Sequence, residues 1–399
     1  MATDRAADLV REPDEPQRAT FIELLFDVVF AFALTRVSQQ LLDSIDAGRR
    51  IEWLPVAETL VLSLAVWNVW VFTCWITSRF NRLSATIHVT ISALILGSLL
   101  MAVGLPGAFD DRGLLFAGAY VGSQLGRPLI IILALGNHPR RRNQVRILCW
   151  AVGSGVFWIV GALLPAPFRL LLWTVGIGID FLGVLLGWPV PGLGREHNAW
   201  WRFAGEHLAE RYQQFFILAL GESILFTGLT YGDGQLTFGR TLAFLFALGS
   251  TLLLWHIYFY QAGKALPDAM GRADHPGRLG RSSNFTQYAL VAAVLVTAVA
   301  NELAINDPFG DPRLAFVAVT LGGPAVFLAA RLRFEWEVFG QRSLALVIGP
   351  VLLCALIPVM LHPPKLVASI VAAGVLASVA AVELVRRKRA GRAEPAPPF

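Results

Sequence analysis

Charged residues are scarce in this chain. Asp, Glu, Lys and Arg make up 15% of its 399 residues, while 55% of the residues are hydrophobic. Soluble domains carry about 25% charged residues. A soluble protein of this composition would need an implausibly large dry core, so the composition predicts a membrane protein instead.

Cysteines are also scarce, and the common catalytic motifs are missing. Cys74, Cys149 and Cys354 all lie inside apolar runs, which argues against disulfides and against a metal cluster. The sequence contains no Walker motif, no Gly-x-Ser-x-Gly elbow and no dinucleotide fingerprint. No metal and no cofactor is therefore expected, no catalytic residue is assigned, and an enzyme is the less favoured class.

The small basic excess does not indicate a nucleic-acid partner. The net charge is +5, and a nucleic-acid binder would gather such charge on one face with interleaved aromatic residues. Here Lys and Arg lie in short connections between apolar runs, which is typical of membrane topology. The expected partners are membrane lipids and a small ion or solute. Residues 1–18 have no apolar core, so no cleavable signal peptide is predicted.

Long apolar runs dominate what the chain does contain. A spanning helix needs about 20 mostly apolar residues, and we predict about twelve such helices. They are expected at 20–43, 53–78, 84–105, 113–136, 145–164, 167–187, 207–230, 238–263, 285–306, 312–331, 342–361 and 365–386. The predicted fold class is an all-α polytopic membrane helix bundle.

A connector rich in Pro and Gly divides these runs into two sets of six. The predicted organisation is a cytoplasmic N-terminal tail at 1–18, a first six-helix repeat at 19–187, the connector at 188–206, a second six-helix repeat at 207–386 and a cytoplasmic C-terminal tail at 387–399. Six is even, so the repeats would share one orientation and be related by a pseudo-twofold axis along the membrane normal. Duplication without any transport role would give the same pattern.

Two stretches at the starts of the predicted repeats resemble each other. The first reads Glu-Leu-Leu-Phe-Asp-Val-Val-Phe over residues 23–30, and the second begins His-Leu-Ala-Glu-Arg at 207–211 and continues to Gly-Glu-Ser at 221–223. Each opens a long apolar helix with a carboxylate near its start. Placing Glu23 over Glu210 aligns Thr35 with Glu222.

These stretches resemble the two motifs of the low temperature requirement A family of bacterial membrane proteins. That family opens with Glu-Leu-aromatic-Phe-Asp-Leu-Val-Phe, and its second motif is His-x-x-Glu-Arg, an apolar run and Gly-Glu-Ser. The resemblance covers most of the chain and implies a multi-pass protein of the bacterial cytoplasmic membrane. The family name reflects a growth requirement in the cold, and the resemblance implies no biochemical activity.

Topology follows from the basic residues in short connections. Lys and Arg are concentrated in both tails and in the even-numbered connections. Because basic residues stay on the cytoplasmic side, this bias places both termini in the cytoplasm.

Ionisable or polar residues inside the apolar runs are the candidates for binding a substrate or an ion. Burying a charge in a bilayer costs about 2.5–3.5 kcal/mol on insertion scales, so such residues point to function. The candidates are Glu23, Asp27, Thr35, Arg127, Asp180, Glu210, Arg211, Glu222 and Ser223.

Glu23 and Asp27 are four residues apart and share one helix face. Two carboxylates that close repel unless a cation or proton lies between them, which predicts a cation or proton site. The alternative is that Glu23 lies at the membrane interface near Arg18 while Asp27 pairs with Arg127 or with Arg36. We expect Arg127 to be the counter-charge of this centre.

The second motif leaves similar alternatives open. Glu222 lies about twelve residues into its predicted helix, near the middle of the membrane, where it is either a functional group or a protonated structural one. His207, Glu210 and Arg211 share a face as a weak metal pattern, but a salt-bridge cluster at the cytoplasmic end is favoured. Asp180 lies among glycines that let its helix pack closely.

The first motif also looks like the first helix of endolysosomal and prokaryotic potassium channels, which carry an Arg…Phe-Ser-Asp signature in six-helix repeats. Here Phe26 and Asp27 lie side by side without the Ser, the Arg spacing is wider, and the second half lacks the Phe-Asp pair. We therefore predict a transporter or ion-conducting protein with a carboxylate centre between two repeats. The alternative is a lipid-active membrane enzyme or a stress-linked structural membrane protein.

Overall fold

Each of the twelve predicted apolar runs contains a helix. The computed structural model describes residues 9, 19–46, 53–195, 205–260, 262–274, 276–390 and 394–398. The helices are α1 (Phe21–Asp46), α2 (Trp53–Arg79), α3 (Ala85–Gly104), α4 (Gly113–Leu135), α5 (Arg141–Ala162), α6 (Ala166–Leu186), α7 (Gly205–Gly232), α8 (Phe238–Phe259), α9 (Ala262–Arg272), α10 (Pro276–Asn306), α11 (Leu314–Phe339), α12 (Leu344–Leu356) and α13 (Lys365–Ala390). No β-strand occurs in this part of the chain.

Ten of these helices are long and apolar enough to cross a membrane. Of the twelve predicted spans, the helices α1 and α12 are not in that set, and the short α9 was not predicted. The predicted all-α polytopic bundle is confirmed, and the chain is a multi-pass membrane protein.

Three predicted helix boundaries were wrong by five or more residues. The helix α10 begins at Pro276 instead of 285, and α11 continues to Phe339, eight residues beyond the predicted end at 331. The predicted span at 342–361 is broken, because α12 ends at Leu356 and a separate 3₁₀ turn covers Val359–Leu361. Pro358 immediately precedes that turn and has no backbone N–H to continue a helix.

The chain divides into two units that do not follow sequence order strictly. The first unit contains residues 1–37 and 54–211, and the second contains residues 38–53 and 212–399. The helices α1 and α7 each pass from one unit to the other along their length.

An aromatic core joins α4, α5 and α6 in the first unit. The rings of Tyr120 and Trp158 are 4.4 Å apart between centroids, and those of Trp158 and Trp173 are 5.0 Å apart. A Cβ on Gly176 would lie 2.8 Å from the Trp158 indole nitrogen, and a Cβ on Gly161 equally close to the Trp173 ring. Glycine is therefore required at both positions for the helices to pack this closely.

In the second unit, aromatic stacking and an arginine contact join α7, α8, α10 and α11. The rings of Phe216 and Tyr258 are 3.8 Å apart, and the Tyr258 hydroxyl donates to Gln287 Oε1 at 3.1 Å. Arg331 Nε donates to the Ile257 carbonyl at 2.9 Å. The last turn of α8 thereby gains a cationic donor for one of its carbonyls.

Some predicted segments lie outside the described residues. These are the N-terminal tail at 1–18 except Leu9, residues 196–204 of the connector, and residues 391–393 and 399 of the C-terminal tail. The division into two six-helix repeats stays a prediction.

Candidate functional site

Glu23 is buried at the start of α1, next to a threonine and two basic side chains. Its Oε2 accepts from Thr20 N at 2.8 Å and from Thr20 Oγ1 at 2.9 Å. This is the backbone-directed half of a capping box, which the Thr-x-x-Glu spacing favours. Its Oε1 lies 3.1 Å from His207 Nε2, and Arg82 NH1 lies 4.0 Å from Oε2. Glu23 is 1% exposed, so it is not a solvated interfacial residue.

Asp27 is the acceptor for two buried donors. Trp70 Nε1 donates to its Oδ1 at 2.8 Å, and Arg211 NH2 donates to the same oxygen at 2.6 Å. The guanidinium partner of Asp27 is thus Arg211, and the expectation that Arg127 or Arg36 would fill this role was wrong. An arginine is suited to a buried carboxylate because its charge is permanent.

The two motifs therefore meet at their first turns. We call Glu23, Asp27, Trp70, His207 and Arg211 the motif cluster, and all five belong to the first unit. A step of four residues along α1 matches a step of four along α7, so the helices run in the same direction over this stretch. His207 and Arg211 each pair with a carboxylate of the first motif, while the predicted location of the second motif at the cytoplasmic end stays a prediction.

One face of α2 supports the motif cluster. Trp70, Cys74 and Ser78 are spaced by four residues and so lie on that face. Ser78 Oγ lies 2.8 Å from His207 Nδ1 and also 2.7 Å from the Cys74 carbonyl. A hydroxyl has one proton, so Ser78 donates either to His207 or to the carbonyl. The first arrangement fits a neutral imidazole, and the second fits a doubly protonated imidazolium.

The charges of the motif cluster are matched within the protein. Each carboxylate has a basic side chain within 4.0 Å, and the exposed fraction of each carboxylate residue is 4% or less. Paired groups of this kind relieve the repulsion between two carboxylates without a bound cation.

A second group of polar side chains is buried between α2, α4 and α6. Tyr120 Oη donates to Asp180 Oδ2 at 2.5 Å and accepts from Asn68 Nδ2 at 2.8 Å and from Gln124 Nε2 at 3.2 Å. Arg127 NH2 donates to Gln124 Oε1 at 2.8 Å. We call these five residues the tyrosine cluster. It links a buried cation to a buried carboxylate through neutral side chains.

The two clusters use different faces of α2. Asn68 contacts the tyrosine cluster, and Phe72 places its ring under the Arg127 guanidinium at 4.6 Å. At about 100° per residue, Asn68 and Phe72 lie opposite Trp70 and Cys74 on the helix. A rotation of α2 would therefore disturb both clusters together.

The other predicted site residues are Thr35 on α1 and Glu210, Glu222 and Ser223 on α7. Thr35 donates to the Ala31 carbonyl within α1 at 3.1 Å. Glu210 is half-buried on α7. Glu222 and Ser223 are buried farther along α7 in the second unit, where Ser223 Oγ lies 3.5 Å from Thr251 Oγ1.

The second unit contains a charged cluster on α11 that was not predicted from the sequence. Glu337 is fully buried and accepts from Ser282 Oγ at 2.5 Å, Thr286 Oγ1 at 2.8 Å and Arg333 Nε at 3.2 Å. Glu335 lies 2.9 Å from Arg386 NH1. The spacing Arg-x-x-x-Glu, which occurs twice within 331–337, is a helical ion-pair signal that could have extended α11.

No group of three or more His, Cys, Asp or Glu side chains is placed to hold a metal ion in the described part of the chain.

Residues 18–381 match the family model described as bacterial low temperature requirement A protein (LtrA). The chain belongs to the low temperature requirement A family. It is also similar to a protein of Rhizobium meliloti (strain 1021) named Uncharacterized protein RA0937, with 31% identity over 335 residues, which is 83% of this chain and 80% of that protein. No solved structure matches the chain. The family predicted from the two motifs is confirmed.

In this low temperature requirement A protein, both motifs lie inside the matched range. Their opening residues contact each other, although 184 residues separate Asp27 from Arg211. The motif cluster is therefore the candidate functional site.

Proposed function

We propose that this protein moves a small ion or solute across the bacterial cytoplasmic membrane, with the motif cluster as its titratable centre. The observation that carries the proposal is the buried contact of 2.6 Å between Asp27 and Arg211. Ionisable groups within membrane helices are costly and commonly mark ion pathways or proton relays.

Stability alone is a weak reason for such a pair. Replacing a buried ion pair by apolar residues of similar volume is often neutral or stabilising, whereas removing one partner is strongly destabilising. The Asp27–Arg211 pair is thus better explained by a change in its protonation state than by a contribution to stability alone. A proton on Asp27 would cancel its negative charge and weaken its hold on the always charged Arg211.

The geometry supports a coupled movement of the two motif helices. His207 and Arg211 both contact α1, so loss of charge on Glu23 or Asp27 would loosen the same pair of helix ends. Ser78 can satisfy either protonation state of His207 by turning its hydroxyl. His207 Nδ1 would therefore keep Ser78 as its partner in both protonation states.

The proposed arrangement of repeats agrees with these contacts. The helices α1 and α7 open the two predicted repeats, and they run in the same direction where they meet. A parallel duplication, with both termini in the cytoplasm, would produce such a pair. The carboxylate centre would then lie between corresponding helices of the two repeats.

Flux through proteoliposomes tests the proposal. We expect potassium, sodium or proton movement with the wild type, and its loss with Asp27→Asn when equal amounts of folded protein are reconstituted, because this change removes the charge and keeps the size of the side chain. Glu222→Gln is expected to retain the fold and to lower the flux. Asp307→Asn is the matched control, because Asp307 is 60% exposed and pairs with Lys365 at a surface. Equal movement of every ion in wild-type, Asp27→Asn and empty liposomes would contradict the proposal.

That negative result would favour a structural or lipid-active role. One observation favours the structural version, since both carboxylates of the motif cluster already have basic partners inside the protein. In that case Asp27→Asn would lower the free energy of unfolding while no variant altered any flux.

A further inference from the structure

Arg127 is a buried cation whose hydrogen-bonding capacity is largely unused. It is 2% exposed on α4, and its NH2 donates to Gln124 Oε1 at 2.8 Å. Its NH1 is buried and has no acceptor in the described part of the chain. No carboxylate in that part lies within 4.0 Å of the guanidinium.

The neighbours of Arg127 offset its charge only in part. The Phe72 ring lies 4.6 Å from the guanidinium carbon and gives a cation–π contact, which supplies no hydrogen-bond acceptor. Asp180 is reached only through Gln124 and Tyr120. An arginine has five N–H donors in a planar fork, and leaving one buried without an acceptor is costly.

We propose that Arg127 binds the carboxylate group of a small anionic solute. The fork of a guanidinium matches the two oxygens of a planar carboxylate, and charge-assisted hydrogen bonds of this kind are roughly twice as strong as neutral ones. The proposal names the class of solute for the function proposed above, but the binding itself does not depend on transport.

Gln124 would compete with a bound carboxylate for the Arg127 guanidinium. Its amide oxygen is a neutral acceptor for Arg127 NH2, and its amide nitrogen donates to Tyr120. A carboxylate entering from the NH1 side would replace this neutral acceptor by a charged one. Tyr120 would keep its contacts with Asn68 and Asp180 during the exchange.

The side-chain carbonyl of Asn68 is a second polar group of the tyrosine cluster that could bind a solute. Asn68 Oδ1 is buried without a donor in the described residues, while its Nδ2 is bonded to Tyr120. A solute with a hydroxyl or amine beside its carboxylate would satisfy an acceptor of this kind. Simple carboxylates are nevertheless sufficient to test the arginine.

The test is thermal unfolding of the purified full-length protein in detergent with increasing sodium acetate, sodium benzoate or sodium chloride. We expect a saturable rise in the midpoint temperature with acetate or benzoate in the wild type, and none in Arg127→Gln. Comparing variants at the same salt concentration cancels general salt effects. Gln124→Ala removes the competing acceptor and is expected to lower the dissociation constant about three- to tenfold.

Gln144→Ala is the matched control, because Gln144 is also a buried glutamine of the first unit, on α5, and it should leave the dissociation constant unchanged. Equal stabilisation of wild type and Arg127→Gln would overturn the proposal. Chloride acting as well as the carboxylates would overturn it too. If Arg127→Gln does not fold, the absence of tighter binding in Gln124→Ala decides against it.

The two proposals fail in distinguishable ways. Carboxylate binding without any flux would remove the proposed function and leave this site standing. Flux without carboxylate-dependent stabilisation would remove the site and leave the motif cluster as the titratable centre.

Discussion

The Asp27–Arg211 pair makes a quantitative prediction for a double-mutant cycle. Asp27→Asn keeps an oxygen for the Trp70 N–H but leaves the Arg211 charge without its counter-charge. Arg211→Met keeps an apolar side chain of similar length but leaves the Asp27 charge unpaired. Each single change is expected to lower the free energy of unfolding by about 3–5 kcal/mol, because it leaves a buried charge uncompensated.

The double variant should be far less damaging than the sum of the single ones. Asp27→Asn with Arg211→Met removes both charges and keeps the Trp70 acceptor. A buried ion pair replaced as a whole is commonly neutral in stability. We therefore expect a coupling energy of about 3 kcal/mol or more between the two positions.

Unfolding in mixed micelles, followed by circular dichroism, measures the four corners of this cycle. An exposed pair in the same protein provides the control: Arg272 and Glu394 lie 3.5 Å apart, with their side chains 55% and 86% exposed. Water and salt screen such a pair, so its cycle should show no measurable coupling. Additive effects at Asp27 and Arg211 would refute the view that they form one buried unit.

Three further outcomes are expected. Gly176→Leu should lower the free energy of unfolding by several kcal/mol, because the new side chain would clash with the Trp158 ring. Gly178→Leu on the same helix is the control and should change the stability little, because open space surrounds Gly178. Thermal unfolding compares the two variants. Glu337→Gln should lower the free energy of unfolding by about 2–3 kcal/mol, because it removes the charge that accepts four side-chain donors, including Ser282, and denaturant unfolding measures this loss. A reporter fused to the C-terminus should be active in the cytoplasm, and a periplasmic signal would contradict the predicted topology.

The helices were predictable because apolar length is a local property. The runs at 84–105 and 113–136 needed only about 20 apolar residues, and the helices there end within two residues of the predicted limits. Hydropathy did not predict where α10 begins or where α11 ends. The polar residues Ser282, Thr286 and Glu337 satisfy one another across those helices, and a sliding window scores each as if it were exposed.

The partners within the site were harder to predict than its members. Glu23, Asp27 and Arg211 were candidates from charge alone, but helical periodicity does not say which helices are neighbours. One signal was available in the sequence. Glu23 and Asp27 are four residues apart, and so are His207 and Arg211. Two parallel helices in contact would bring residues with equal spacing together as two pairs. No comparable spacing linked Arg127 to Asp27 in the sequence.

The long separation between Asp27 and Arg211 has a consequence for biosynthesis. The ribosome makes Arg211 184 residues after Asp27, which at 5–20 residues per second is a delay of roughly 10–40 s. During that interval the nascent α1 carries two carboxylates whose basic partners on α7 do not yet exist. It is also outside the set of ten helices apolar enough to insert on composition alone. Until α7 is made, α1 has only its earlier contacts with Trp70 and Arg82, so we expect chains truncated before residue 207 to hold α1 in the bilayer less stably than the full chain does.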